Sequence, residues 1–210
     1  MHHPDIRAIV QRYPIISDQV KTDELQVLLE ALVESLNREP SGAVVEFGCY
    51  IGTTSLFIRR VMDALGATGE FHVYDSFEGL PAKSASDHSP AGEQFRPGEL
   101  AVSKKTFVAQ FKKAGLGLPR IHKSWFADLT ATDVPDGIGF AFLDGDYYES
   151  IRDSLRLITP KFLPGATIIV DDYASEALPG TARAVHEWRA TCPLRHTMQV
   201  QQSLSVIRLV

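Results

Sequence analysis

Val44-Val45-Glu46-Phe47-Gly48-Cys49-Tyr50-Ile51-Gly52-Thr53-Thr54 is the stretch on which the reading of this chain turns. A short apolar run ends on an acidic side chain and passes over two glycines into helix-compatible sequence. That is the signature of a buried strand turning into a helix. Gly48 lets backbone approach a ligand with no Cβ in the way, and Gly52 lets the new helix pack closely on its strand. A dinucleotide fingerprint would read G-x-G-x-x-G and aim a pyrophosphate at the helix N-terminus. Here the spacing is E-x-G-x-x-x-G, with Tyr50 where a middle glycine would stand. Such a loop suits a cofactor with an amine and a ribose but no phosphate, and S-adenosylmethionine (SAM) is the leading candidate. A tight strand-to-helix turn with no ligand reads the same way.

Outward from this stretch, the chain alternates between the two periodicities. Upstream, Leu25, Leu28, Leu29, Leu32, Val33 and Leu36 recur at helical spacing between Thr22 and Asn37, before the break at Pro40-Ser41-Gly42. Downstream, strands are expected at Ala43–Gly48, Phe71–Ser76, Arg120–Ser124, Gly139–Asp144 and Ala166–Asp171. Helices are expected at Thr53–Leu65, Ser103–Ala114, Tyr148–Ile158 and Thr181–Ala190. His196–Val200 and Leu204–Val210 read as a closing pair of strands. Repeated β–α units predict an α/β, Rossmann-like doubly wound sheet, with right-handed crossovers and helices on both faces. No internal repeat is evident.

Composition narrows the function classes. At 210 residues and 44% hydrophobic, the chain suits one domain, with residues 1–40 as an N-terminal helical segment. A formal charge of −5 and no basic run give no reason to expect nucleic-acid binding. Cys49 and Cys192 lie far apart and form no CxxC pair or disulfide framework, which fits a reducing cytoplasm. Met1-His2-His3-Pro4 does not read as a signal peptide, and no apolar run reaches membrane-spanning length, so no membrane partner is expected.

The predicted strand ends are acidic. Glu46–Gly48 ends the first, Asp75 the second, Asp144-Gly145-Asp146 the fourth, and Asp171-Asp172 the fifth. In open α/β sheets ligands bind outside these carboxyl ends. Asp75 is placed to accept both hydroxyls of a ribose, although capping its own turn is the simpler role. Asp144, Asp171 and Asp172 would repel one another without a cation, and hard oxygen ligands of this kind suit Mg²⁺. Asp146 is as readily a cap for the helix starting near Tyr148. Residues 77–100 hold several prolines and glycines and little apolar content. A loop this long beside the second strand reads as a substrate lid or a surface excursion. His88 within it is a candidate substrate contact. His72, His122 and His186 read as structural, and no Gly-x-Ser-x-Gly elbow or Walker-type loop is present.

Together these pieces resemble the class I SAM-dependent O-methyltransferases, and specifically the macrocin O-methyltransferase (TylF/MycF-like) family. The resemblance rests on Glu46-Phe47-Gly48, on Asp75-Ser76-Phe77-Glu78-Gly79-Leu80-Pro81 and on Lys123-Ser124-Trp125-Phe126. It continues with Leu143-Asp144-Gly145-Asp146-Tyr147-Tyr148-Glu149-Ser150 and Ile169-Val170-Asp171-Asp172-Tyr173. It implies a class I methyltransferase fold, with a mostly parallel seven-stranded sheet and an antiparallel strand near the C-terminus. SAM would be held by Glu46, Gly48, Tyr50, Gly52, Thr53, Asp75, Ser76 and Asp144, with Ser124 and Trp125 near the adenine. Lys21 and Thr22 would reach the methionine end. Asp144, Asp171 and Asp172 would bind Mg²⁺. Tyr147 stands where catechol-type relatives carry a lysine, so Asp144 becomes the implied base, with Asp146 the alternative.

The expectation is therefore a Mg²⁺-dependent O-methyltransferase acting on a hydroxyl of a small molecule, with a sugar or glycosylated natural product as the leading class. Its rivals are an NAD-binding Rossmann oxidoreductase and a non-catalytic SAM-binding accessory protein. The N-terminal helix offers a face that a homo-oligomer, such as a dimer, would use.

Overall fold

The computed structural model describes residues 4–92 and 94–210; the Met1-His2-His3 start and Glu93 of the expected lid lie outside them. The chain runs α1 (Ile6–Arg12), α2 (Thr22–Arg38), β1 (Ala43–Phe47), α3 (Thr53–Leu65), β2 (Phe71–Asp75), α4 (Lys104–Ala114) and β3 (Arg120–Lys123). It continues with β4 (Ile138–Leu143), α5 (Tyr148–Ile158), β5 (Phe162–Val170), α6 (Pro179–Thr191), β6 (His196–Gln201) and β7 (Leu204–Leu209). The strands form a seven-stranded sheet in the order β3-β2-β1-β4-β5-β7-β6. Pairings from β3 through β5 are parallel, and β7 inserts antiparallel between β5 and β6. This is the expected mixed sheet, and the order reverses direction between β1 and β4.

Alternation along the strands feeds a core on each face. Val44, Val73, Phe142 and Ile169 face α2 and α3, whose Leu29, Leu32, Phe57 and Ile58 are buried against them. Val45, Phe47, Leu143 and Val170 face the other way, onto Ile151 and Leu155 of α5 and Val185 of α6. Strands covered on both faces read as continuous apolar runs, which is why β1 and β4 were legible.

Three elements depart from the sequence reading by more than one residue. Helix α1, capped by the Asp5 carboxylate on the Ala8 N–H (3.0 Å), buries only Ile6 and Val10, too few to set a period. Strand β5 starts at Phe162 rather than Ala166, because its register to β4 shifts across the Pro164-Gly165 break before the apolar run resumes. Helix α6 starts at Pro179, since proline suits the first helical position, where no N–H is needed.

Among the described residues of 77–100, the one regular element is a 3-10 turn, Ala85–Asp87. The segment is tied shut at its base, where the Leu80 N–H donates to Glu99 (2.9 Å) and the Gly98 N–H to Leu80 (2.8 Å). Among the described residues, no helix is long and apolar enough to cross a membrane.

Candidate functional site

The sheet's hydrogen bonding continues one residue past four strand ends and sets the candidate residues level with one another. The Gly48 N–H donates to the Tyr74 carbonyl (2.9 Å) and Ser124 to Asp75 (3.0 Å). Asp144 donates to Phe47 (2.8 Å) and Asp171 to Leu143 (2.9 Å). A cavity of about 480 Å³ opens at this carboxyl edge. Gly48, Tyr50, Asp75, Ser76, Ser124, Trp125, Asp144, Asp171 and Asp172 all line it, as does Lys21.

Gly48 is in the left-handed region (φ 87°), and a Cβ there would overlap the Asp144 carbonyl oxygen. Absence of a side chain is thus what lets β1 and β4 close up at the cavity floor. Gly52 (φ 95°) lies behind the wall, where a Cβ would stand 2.9 Å from the Phe107 ring. Its role is packing of α3, as the sequence reading allowed.

Glu46 does not line the cavity. Alternation in β1 points it to the α3 face, where it is fully buried and accepts a hydrogen bond from Ser55 Oγ. Burial raises its carboxyl to about 8, with Asp75 adding repulsion and Ser55 opposing the shift. Its Oε1 has no partner in the protein, and the Thr53 hydroxyl is likewise buried and unpaired. These atoms, with Gly52, underlie the β1–α3 turn rather than facing the cavity.

Asp75 fills one of the two roles that the sequence left open, the cap on its own turn. One carboxylate oxygen accepts the Cys49 and Tyr50 N–H groups (2.9 and 3.2 Å), and the other accepts the Phe77 N–H (2.7 Å). It therefore clamps the β1–α3 turn and caps its own turn. An ionised carboxylate has about four acceptor positions, so capacity remains on the side lining the cavity. Ser124 turns its hydroxyl to the Trp125 carbonyl (3.0 Å), and Ser76 donates to Gly79 (3.2 Å).

Asp144, Asp146, Asp171 and Asp172 meet across the end of β4 and β5. Burial raises the Asp144 carboxyl well above the usual range, and Asp171, Asp146 and Asp172 push the same way. Burial likewise raises Asp146 and Asp172, and takes Asp171 to about 7 with help from Asp172. Such mutual repulsion is what a cation would relieve, and carboxylate oxygens are the donors a hard dication takes. Among the described residues, however, no three His, Cys, Asp or Glu side chains are drawn together into an arrangement that holds a metal ion. The donor chemistry fits a dication.

Left-handed backbone also gathers here. Tyr50 (φ 46°), Phe77 (φ 55°), Asp146 (φ 59°) and Asp172 (φ 53°) each follow the end of a different strand. Conformations of this kind cost about 1–3 kcal/mol apiece and collect at binding sites.

The sequence reading missed part of the wall. Glu24, at the start of α2, accepts from Lys21 Nζ (2.9 Å) and from Ser203 Oγ (2.6 Å) in the β6–β7 turn. Its carboxylate raises the Lys21 ammonium above its ordinary value. An acidic residue in a first helical turn suggests only dipole stabilisation, so nothing local marked it. On α5, Glu149 and Asp153 join Asp146 in lining the cavity. Glu149 and Asp153 stand four residues apart on one face of α5, a signal the sequence did carry.

Histidines stand elsewhere. His72 bonds to His122 (3.1 Å) and Glu70 (3.0 Å) on the β2–β3 edge, and burial lowers both imidazoles. His186 meets the Tyr173 hydroxyl (2.7 Å). His88 is exposed and is not part of the cavity wall. The turn before it is buried through Asp87.

The sequence profile of the family described as Macrocin-O-methyltransferase (TylF) matches residues 7–207. One relative is the 8-demethyl-8-(2,3-dimethoxy-alpha-L-rhamnosyl)-tetracenomycin-C 4'-O-methyltransferase of Streptomyces olivaceus, 36% identical over 176 residues. The match covers 80% of this chain and 65% of that protein. Another is the mycinamicin III 3''-O-methyltransferase of Micromonospora griseorubida, 31% identical, covering 77% of this chain and 66% of that protein. The chain thus spans just under two thirds of the length of these relatives. Among solved structures, the O-methyltransferase NovP superposes with a TM-score of 0.77 at 25% identity, over 90% of this chain and 80% of that one. The calicheamicin methyltransferase CalS11 gives 0.71 at 16% identity, covering 99% and 94%, a likeness of fold.

Proposed function

This chain belongs to the macrocin-O-methyltransferase (TylF) family, and from that premise we propose that it transfers a methyl group from SAM to a hydroxyl of a small molecule, a sugar or glycosylated natural product. The observation that carries the reading is a single cavity joining the glycine turn and Asp75 on one side to Asp144, Asp171 and Asp172 on the other. The first group suits the methyl donor, and the second suits the acceptor hydroxyl.

In this reading the free acceptor positions of Asp75 take the ribose hydroxyls, and Gly48 admits the donor close to the strand end. Ser76, Ser124 and Trp125 surround the adenine, and Lys21 faces the methionine carboxylate. Tyr50 closes the near wall. Glu46, Gly52 and Thr53 hold the turn from beneath. Asp144 accepts the hydroxyl proton as oxygen attacks the methyl carbon and the sulfonium leaves as thioether. Asp144, Asp171 and Asp172 would hold a Mg²⁺ ion, which when bound would neutralise the carboxylates and acidify the acceptor hydroxyl. Alignment of sulfonium and oxygen in one cavity supplies much of the acceleration. Residues 77–100 act as the lid on the acceptor side, since Leu80, Gln94, Phe95 and Leu100 reach the cavity. An NAD-binding reading is disfavoured by the turn, in which Tyr50 replaces the glycine that admits a pyrophosphate.

The test pairs binding with transfer. SAM and S-adenosylhomocysteine should raise the thermal midpoint while NAD does not. Labelled methyl should then pass from SAM to glycosides, and EDTA should suppress that transfer. Stabilisation by NAD alone would overturn the reading. SAM binding with no transfer to any hydroxylated acceptor would leave the protein a binding module.

A further inference from the structure

Asp87 lies in the loop above the cavity, 61 residues from α5, yet it is bonded to that helix. Its side chain is buried (1% exposed). One carboxylate oxygen accepts the Tyr148 N–H (2.7 Å), and the other accepts the Ser84 N–H (2.9 Å) and Ser84 Oγ (2.7 Å). Tyr148 opens α5, and Tyr147 at the N-cap position is not a side chain that caps helices. The capping oxygen therefore comes from the loop. Gly180 of α6 packs so closely that a Cβ there would overlap the same Asp87 oxygen and stand 2.8 Å from the Tyr148 nitrogen.

The residues just before Tyr148 are Asp144-Gly145-Asp146, where Asp146 is left-handed (φ 59°). Such a conformation persists only when its surroundings over-determine it. Two side chains do so. Thr181 Oγ of α6 donates to the Asp146 carbonyl (3.0 Å), and Asp87 holds the amide two residues on.

We propose that Asp87 is a positioning residue: from the loop over the cavity it clamps the start of α5 and thereby sets the Asp144–Asp146 turn for the proposed cation and acceptor. This rests on the methyltransferase reading above. It assigns the loop a second role, in which its near limb fixes the carboxylates while its far limb, through Gln94 and Phe95, walls the acceptor.

The test is Asp87→Ala in the full chain, with Asp87→Asn as the conservative variant and Gly180→Ala as an independent way to displace the carboxylate. In Asp87→Ala, amide exchange at Tyr148 should accelerate. Mg²⁺ affinity by calorimetry should fall about 10-fold, as when an outer-shell partner of a metal ligand is lost. S-adenosylhomocysteine affinity should stay within about twofold, because the glycine turn and Asp75 are untouched. Asp87→Asn keeps an oxygen for Tyr148 and should recover part of the Mg²⁺ affinity, while Gly180→Ala should behave like Asp87→Ala. Unchanged Mg²⁺ affinity in Asp87→Ala would overturn the proposal, as would equal losses for both ligands with a lowered thermal midpoint. A wild-type protein that binds S-adenosylhomocysteine but no Mg²⁺ would sink the metal reading instead. Exchange at Tyr148 would then decide the clamp, unaltered exchange counting against it.

Discussion

At the scale of single residues, the acidic side chains divide according to how far along their strands they stand. Asp75 and Asp144 follow the sheet edge into the cavity, whereas Glu46, one pleat earlier, turns under α3. Position along the chain identified all three as strand-end acids, but Glu46 stands level with Val73 and Phe142, two residues short of Asp75 and Asp144, so α3 covers it. Glu46 also carries a measurable signature. Its folded carboxyl sits at about 8, against about 4.3 in an unfolded chain. A group raised in this way contributes stability that is full below the unfolded value and is lost as pH rises through the folded one. Glu46→Gln stays neutral and keeps an oxygen for Ser55. At pH 9 without ligand it should be more stable than wild type by about 5 kcal/mol, or roughly 10 °C in thermal midpoint. The difference should vanish near pH 4; equal midpoints at pH 9 would show that Glu46 is not held neutral.

Among the elements, the turn between β1 and α3 does most to shape the donor side of the cavity. Gly52 combines a left-handed φ of 95° with the Phe107 ring 2.9 Å from where a Cβ would stand. Gly52→Ala therefore meets both backbone strain and overpacking. It should lower the unfolding free energy by about 2–3 kcal/mol in urea titrations, and a loss under 0.5 kcal/mol would contradict this account of the turn. Elements with a sustained period were legible: α3 and α5 fall on the residues that the pattern named. What escaped had a physical reason. Helix α1 is one short amphipathic stretch, and the first half of β5 is interrupted at Pro164-Gly165. In the loop, the proline and glycine content announced irregular structure, but no local pattern shows that Asp87 caps a helix 61 residues away.

For the whole molecule, the strand order brings together side chains from Asp18, 30 residues before Gly48, to Asp172, 124 residues beyond it. The fold class was legible because parallel strands covered on both faces leave long apolar runs. The strand-end acids gave the site's floor. The rim was not legible: Asp18, Gln19 and Glu24 come from the N-terminal segment, and Asp128 from the turn after β3, without a motif to mark them. The central claim is that donor and acceptor chemistry share this cavity but rest on different residues. The most direct measurement compares Asp144→Ala with wild type for S-adenosylhomocysteine affinity and for methyl transfer to a glycoside acceptor. Affinity should remain within about threefold while turnover falls by about 1,000-fold or more. Turnover at the wild-type level in Asp144→Ala would contradict the account.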